Sequence, residues 1–281
     1  MSEHRYQIVD VFCQGAFSGN PVAVVRAPGD MSTEAMQRIT RWFNLSETAF
    51  LLPPTDPAAD YRVRIFALDR EMPFAGHPTL GTCHAWLHDG GEPADAGVVM
   101  QECGAGLVRV GRAAEGLAFA APPLIRGGPV AEETLEEVAA VLRIARGDIV
   151  DAQWADNGPG WVAVRLADAE AVRALAPARF HERRIDVGVV GMYPAGSRFA
   201  YEVRAFFSDP FGGIVEDPVT GSLNASLAGW LVGAGVVNPP YLASQGGCIG
   251  RDGLVRITRD DAGALWIGGD TVTRAAGVLE V

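Results

Sequence analysis

The chain has 281 residues, 48% hydrophobic and 20% charged, a globular composition long enough for one large domain or two modest ones. Its formal charge of -11 argues against nucleic acid or an anionic membrane surface as a partner. Cys13, Cys83, Cys103 and Cys248 are scattered without CxxC or Cys/His ligand spacing, which disfavours zinc and a disulfide framework and suits reduced thiols in a cytoplasmic protein.

The start, "MSEHRYQIVDVF", shows no basic stretch followed by an apolar one, so no secretory leader is expected. "YQIVDVF" and "NPVAVV" predict a first strand pair, joined through the glycine turn of "FSGN". Apolar residues at helical spacing predict a helix over 32–43, with Ser32 at its start. "SETAFLLPP" is a short strand ended by two prolines, and "YRVRIFAL" alternates as another. After the 73–86 segment, short strands are expected around 97–102, 107–110 and 117–120. "APPLIRGGP" is the internal break. "AEETLEEVAAVLRI" is an amphipathic helix with acids in its first turns. Then follow a strand in "GPGWVAVRL", a helix in "DAEAVRALAP", a strand in "FAYEVRAFF" and two or three antiparallel strands at the end. The longest uncharged run, 218–250, is broken by "NPP" and several glycines, so no spanning helix is expected.

The two halves repeat one another. "SGNPVAVV" is answered by "GPGWVAVRL", and "VRIF" by "VRAF". Each of the latter precedes an acid, a proline, a glycine and an uncharged helix: Glu71, Pro73, Gly76 and His77, then Glu216, Pro218, Gly221 and Ser222. A tandem duplication accounts for several matches in one order better than coincidence does. Between Pro73 and His88 the only titratable groups are histidines and Cys83, and 218–231 carries no charge. A helix apolar on every side is surrounded by protein. The expected fold is therefore α+β, in two pseudo-repeated domains, each a barrel-like curved sheet around a central helix. The domains span residues 1–122 and 127–281, with the C-terminal strand a candidate to cross back to the first. Each helix starts at a glycine-containing turn and leaves backbone N–H groups without intrahelical acceptors, a ready anion site. The two starts are expected to face each other across a cleft.

"SGNPVAVV", "NLSETAFLL", "MPFAGHPTLG", "GIVEDPVTGSLNASLAGWLV" and "SQGGCIGRDGLV" together resemble the phenazine biosynthesis PhzF-like family along nearly the whole chain. The resemblance implies the diaminopimelate epimerase-like fold, an active site between two related halves, and a homodimer. It places the acid/base glutamate at Glu47, the motif histidine at His77 and the motif aspartate at Asp217. Where many members have an F-T-P step, this chain has "FALD" at 66–69, which bears on loop contacts and substrate shape.

Moving a proton at a carbon near a carboxylate needs a base at that carbon and donors for the developing negative charge. Glu47 before the apolar "AFLL" is suited to partial desolvation, which raises a carboxylate pKa. His77 and Asp217 are the expected second proton carrier and polar network. Gly76, Pro78, Thr79, Thr220, Gly221 and Ser222 at the helix starts, with Asn20, Ser46, Gln245 and Gly246, are the expected substrate-binding positions. Taken singly, Glu47 reads as a strand-end acid, His77 as a turn histidine and Asp217 as a turn or cap residue. Only the joint pattern lifts them. Gln245 and Arg251 in "SQGGCIGR" are read as closing the site or binding an anion, against a plain glycine-rich hairpin. Racemases of the implied fold use two cysteines at the helix starts, and none stands there in this sequence. The expected function is thus a cofactor- and metal-independent isomerase of a small amino or hydroxy carboxylic acid. The alternatives are an inactive two-lobed metabolite-binding or interaction protein, and a racemase or epimerase using other residues.

Overall fold

Short apolar runs punctuated by glycine and proline make most of this chain strand. The computed structural model describes residues 2–113 and 116–281. In chain order the first elements are β1 (Glu3–Val11), β2 (Asn20–Arg26), α1 (Thr33–Phe43), β3 (Glu47–Leu52), β4 (Tyr61–Ala67) and β5 (Glu71–Met72). α2 (Gly76–His88) precedes β6 (Val98–Cys103), β7 (Gly106–Ala113) and β8 (Gly116–Ala120). α3 (Glu132–Leu142), β9 (Asp151–Trp154), β10 (Val162–Arg165), α4 (Ala169–Arg173), β11 (Asp186–Met192), β12 (Tyr201–Ser208) and β13 (Ile214–Asp217) follow. Last come α5 (Gly221–Gly233), β14 (Tyr241–Gln245), β15 (Gly253–Arg259), β16 (Leu265–Gly269) and β17 (Thr271–Glu280). They form two compact units, Met1–Ala120 with Gly268–Val281, and Ala121–Ile267. Among the described residues no helix is long and apolar enough to cross a membrane.

In the first unit β1 pairs antiparallel with β17 and β2. β2 runs parallel to β3, β3 antiparallel to β4, and β4 pairs antiparallel with β5 and parallel with β6. β6, β7 and β8 continue antiparallel. α2 packs against β1, β2, β3, β4, β6, β7, β8 and β17, so strands ring it, and its lack of charge follows from that burial. Gly81 is needed inside it, because a Cβ there would stand 2.3 Å from Val22 Cγ1 of β2. Outside the ring lies α1, started by Ser32, whose side chain accepts from Ala35 N. Met36 and Ile39 of α1 bury against Val25, Phe50, Leu52 and Phe66. Each such side chain contributes roughly 1.5–3 kcal/mol.

The second unit repeats the pairing. β9 and β10 are antiparallel, β10 and β11 parallel, β11 and β12 antiparallel. β12 pairs antiparallel with β13 and parallel with β14, which pairs antiparallel with β15. The register equates individual residues. Phe66 stands opposite Thr48 and Glu71, and Phe206 opposite Val187 and Glu216. Beside them Arg64 grips Glu71 through both carboxylate oxygens at 2.7 and 2.6 Å, and Arg204 grips Glu216 at 3.0 and 2.7 Å. These paired forks brace the hairpins that lead into α2 and α5.

β11 is not predicted by the alternation in "DVGVVGM", since glycine inside a strand lowers its propensity. Its two glycines are where helices press on the sheet. A Cβ at Gly188 would stand 2.4 Å from Leu223 of α5, and one at Gly191 2.0 Å from the carbonyl oxygen of Asp168, the N-cap residue of α4. Val187 and Val189, on the opposite face from Gly188, face outward in one core with Leu135 and Val138 of α3, Val172 of α4 and Phe206.

Candidate active site

The entrance of α2 gathers three of the expected residues. Glu47 is the first residue of β3, on the inward parity of the strand, opposite Ala67 of β4. His77 is the second residue of α2, and its Nε2 lies 3.5 Å from Glu47 Oε2. Its side chain is 4% exposed and that of Glu47 20%. Asn20, at the start of β2 and wholly buried, directs Nδ2 at His77 Nδ1 across 3.4 Å. An amide N–H can only donate, so Nδ1 accepts and the ring proton sits on Nε2, facing the carboxylate. Burial pushes the His77 pKa down to about 3. The His77–Glu47 separation is within ion-pair range, but with a neutral ring Nε2 and Oε2 make a polar contact whose geometry falls short of a hydrogen bond.

The first intrahelical bond of α2 runs from Thr79 N to Ala75 O, so the N–H groups of Gly76 and His77 have no acceptor within the helix. Pro78 has no N–H to leave unpaired. The Thr79 hydroxyl accepts from Gln101 Nε2 at 2.9 Å, while Gln101 Oε1 accepts from the Tyr61 hydroxyl at 3.0 Å. Gln101 lies in β6, after the helix has returned to the sheet, and no local motif signals it. Ser46 sits in the turn ahead of Glu47.

The entrance of α5 gathers a second group, within the other unit. Asp217 ends β13, is buried, and its Oδ2 accepts from the Thr220 hydroxyl at 2.6 Å. Gln245 Oε1 accepts from Thr220 N at 3.0 Å and Asn224 Nδ2 at 2.8 Å. Its Nε2 donates to Thr220 Oγ1 at 2.9 Å and Asp217 O at 3.3 Å. Gln245 therefore ties the loop before α5 to the first turn of the helix. Asn224 N bonds back to Thr220 O, so the N–H groups of Gly221 and Ser222 lie ahead of the first helical bond. Gly246, at φ +86°, turns tightly under Pro218, whose carbonyl oxygen would stand 2.4 Å from a Cβ there. Arg251 N bonds to Gly246 O and closes this loop, while Cys248 is exposed with Sγ 3.6 Å from Arg173 O.

Cys83, deeper in α2, is buried, and burial pushes its thiol up to about 12. Among the described residues no three His, Cys, Asp or Glu side chains form a metal-ligand group. A cavity of about 320 Å³ lies at the far end of α2, lined by Arg5, Tyr6, Arg26, His88 and Asp89 among others. It is set apart from Glu47 and His77, and its acid is already engaged: Asp89 accepts from Gln7 Nε2 at 3.0 Å and faces Arg26 at 3.8 Å.

A family model described as phenazine biosynthesis-like protein, PhzC-PhzF, matches residues 9–277. The chain is 31% identical over 296 residues to Antisense-enhancing sequence 1 of Schizosaccharomyces pombe, covering 99% of both. It is 35% identical over 228 residues to trans-2,3-dihydro-3-hydroxyanthranilate isomerase of Pseudomonas aeruginosa, covering 80% of this chain and 78% of that one. Its fold is similar to that of a phenazine biosynthesis protein of the PhzF family from Enterococcus faecalis, with a TM-score of 0.77, 25% identity and full coverage of both chains.

Proposed function

The chain belongs to the phenazine biosynthesis-like PhzC-PhzF family and is an isomerase; we propose that it shifts a carbon-bound proton in a small amino or hydroxy carboxylic acid, with Glu47 as the proton carrier and no metal or cofactor. The observation that carries this reading is the Asn20–His77–Glu47 chain at the α2 entrance. Glu47 takes the proton from carbon, and the electron pair left behind spreads into the neighbouring unsaturated system. The same carboxyl, its proton exchanging with solvent in between, delivers a proton to another carbon on the same face, so the net change is a moved double bond.

His77 serves as a neutral donor. Its Nε2–H orients the carboxylate without the strong attraction of a cation, which would weaken Glu47 as a base. The N–H groups of Gly76 and His77, with the positive end of the α2 dipole, are suited to a substrate carboxylate. Asp217, Thr220 and Ser222 play the polar role at the α5 entrance, with Gln245 and Gly246 holding that turn in place.

The test is incubation with trans-2,3-dihydro-3-hydroxyanthranilate, and with other small carboxylic acids, in deuterated water. One deuterium at carbon in the product is expected, and none with Glu47→Gln. Tight binding without exchange would point to a binding protein instead. Exchange with loss of optical activity would point to a racemase.

A further inference from the structure

The internal repeat assigns a counterpart to Glu47 that no motif marks. Glu47 opens β3 opposite the residue after Phe66; Asp186 opens β11 opposite Phe207, the residue after Phe206. Side chains alternate along a strand. Since Val187 and Val189 face the outer core and Gly188 lies under Leu223 of α5, Asp186 has the inward parity of Gly188, as Glu47 has that of Ala49. Asp186 is 9% exposed, and Arg184 Nε holds its Oδ2 at 3.1 Å.

The segment 157–161 lies against both this acid and the first turn of α5. A Cβ at Gly160 would stand 3.9 Å from Asp186 Oδ2. Trp161 Nε1 donates to Ser222 Oγ at 3.3 Å, and Ser222 is the repeat's counterpart of His77. Asn157 Nδ2 donates to Ser222 O at 2.8 Å, which settles the orientation of that amide. Its other end, Oδ1, is buried without a hydrogen-bond partner among the described residues, and Asn157 is 5% exposed. A buried acceptor left unmatched is destabilising unless a donor arrives.

We propose that Asp186 and Asn157 Oδ1 form an acceptor subsite at the α5 entrance that takes the amino group of the substrate. A hydroxyl brings one hydrogen, whereas an amine brings at least two, and two acceptors therefore select the amine. Asp186 acts as a recognition group and takes no part in the proton transfer. This rests on the reading of the protein as an isomerase of a small carboxylic acid.

The experiment is calorimetric titration of the full chain with 3-hydroxyanthranilate and with 3-hydroxybenzoate, which lacks only the amino group. The wild type is expected to bind the first about tenfold more tightly or better, and Asp186→Asn and Asp186→Ala to lose about tenfold for the first alone. Asn157→Ala should act in the same direction, with thermal melts confirming that each variant folds. Equal losses for both ligands, no loss for either, or no preference in the wild type would each overturn the subsite while leaving the isomerase reading intact. Failure of the wild type to bind either acid would remove that reading, and the subsite with it.

Discussion

His77 presents Nε2 to Glu47 Oε2 across 3.5 Å while Asn20 Nδ2 holds the opposite ring nitrogen at 3.4 Å. The arrangement is directional. Asn20 Nδ2 can only donate, the ring is neutral, and its one hydrogen therefore lies on the nitrogen that faces the carboxylate. Each of the three residues stands at the start of a strand or helix, where the sheet or helix holds its backbone in place.

Glu47→Gln keeps the shape of the side chain but cannot carry a proton as a base. Its rate of carbon–hydrogen exchange should fall by roughly 10²–10⁴-fold. Its melting temperature should stay within a few degrees of wild type, because the side chain is partly exposed. Exchange at the wild-type rate would remove Glu47 from the mechanism.

Asn20→Ala should release the His77 tautomer. Loss of one buried hydrogen bond of about 1 kcal/mol corresponds to roughly a fivefold change. We expect the fall in kcat, with KM little changed, in steady-state assays of a turned-over acid. A change confined to KM would instead make Asn20 a direct substrate contact.

The buried, neutral His77 makes the fold acid-sensitive. Its folded pKa is about 3 against a reference of 6.5. Above 6.5 neither the folded nor the unfolded state binds the proton, and no penalty exists. Below 6.5 the unfolded chain takes it up first, so stability is lost as pH falls from 6.5 toward 3. Near pH 4.5 the loss from this one group is about 3 kcal/mol. Denaturant melts of His77→Gln should show a shallower acid dependence over that range than wild type. Parallel curves would mean that the ring is protonated in the folded protein.

The repeated Arg–Glu forks should differ in worth because they differ in burial. The Arg204 and Glu216 side chains are 7% and 10% exposed, and those of Arg64 and Glu71 25% and 39%. Arg204→Met leaves Glu216 buried and unpaired, at a cost of about 3–5 kcal/mol. Arg64→Met should cost about 1 kcal/mol or less. Adding Glu216→Leu to the first variant should recover part of the loss. Chemical denaturation of the four proteins measures the ranking.

Cys83→Ala should leave exchange activity unchanged, since the thiol is buried in α2 and its pKa is held near 12. Iodoacetamide on the native protein should label the exposed Cys248 and spare Cys83 until unfolding. Abolished exchange in Cys83→Ala at unchanged stability would revive thiol chemistry.

Much of this was legible in the order of residues. Uncharged helices at 73–88 and 218–231 require burial on all sides. The motif pairs "VRIF" and "VRAF" mark equivalent strands because a duplicated fold reuses the same register. Glu47 and His77 were named from their motifs, and proximity on one inward face is what strand parity and helix start together dictate. β11 was not legible, because Gly188 and Gly191 break the strand pattern for reasons that lie in α5 and α4. With β11 unseen, Asp186 had no frame in which to count as the repeat's counterpart of Glu47. Gln101 and Asn157 were invisible for a related reason: each meets its partner only after the chain has crossed a helix. Sequence alone determined the repeat and the buried helices, since these depend on periodicity and local chemistry, while Glu47 was named only through the family resemblance of its motif. Tertiary structure decided the protonation state of His77 and the bracing of the α5 turn by Gln245, because desolvation and hydrogen-bond partners belong to the packed molecule and not to any segment of it.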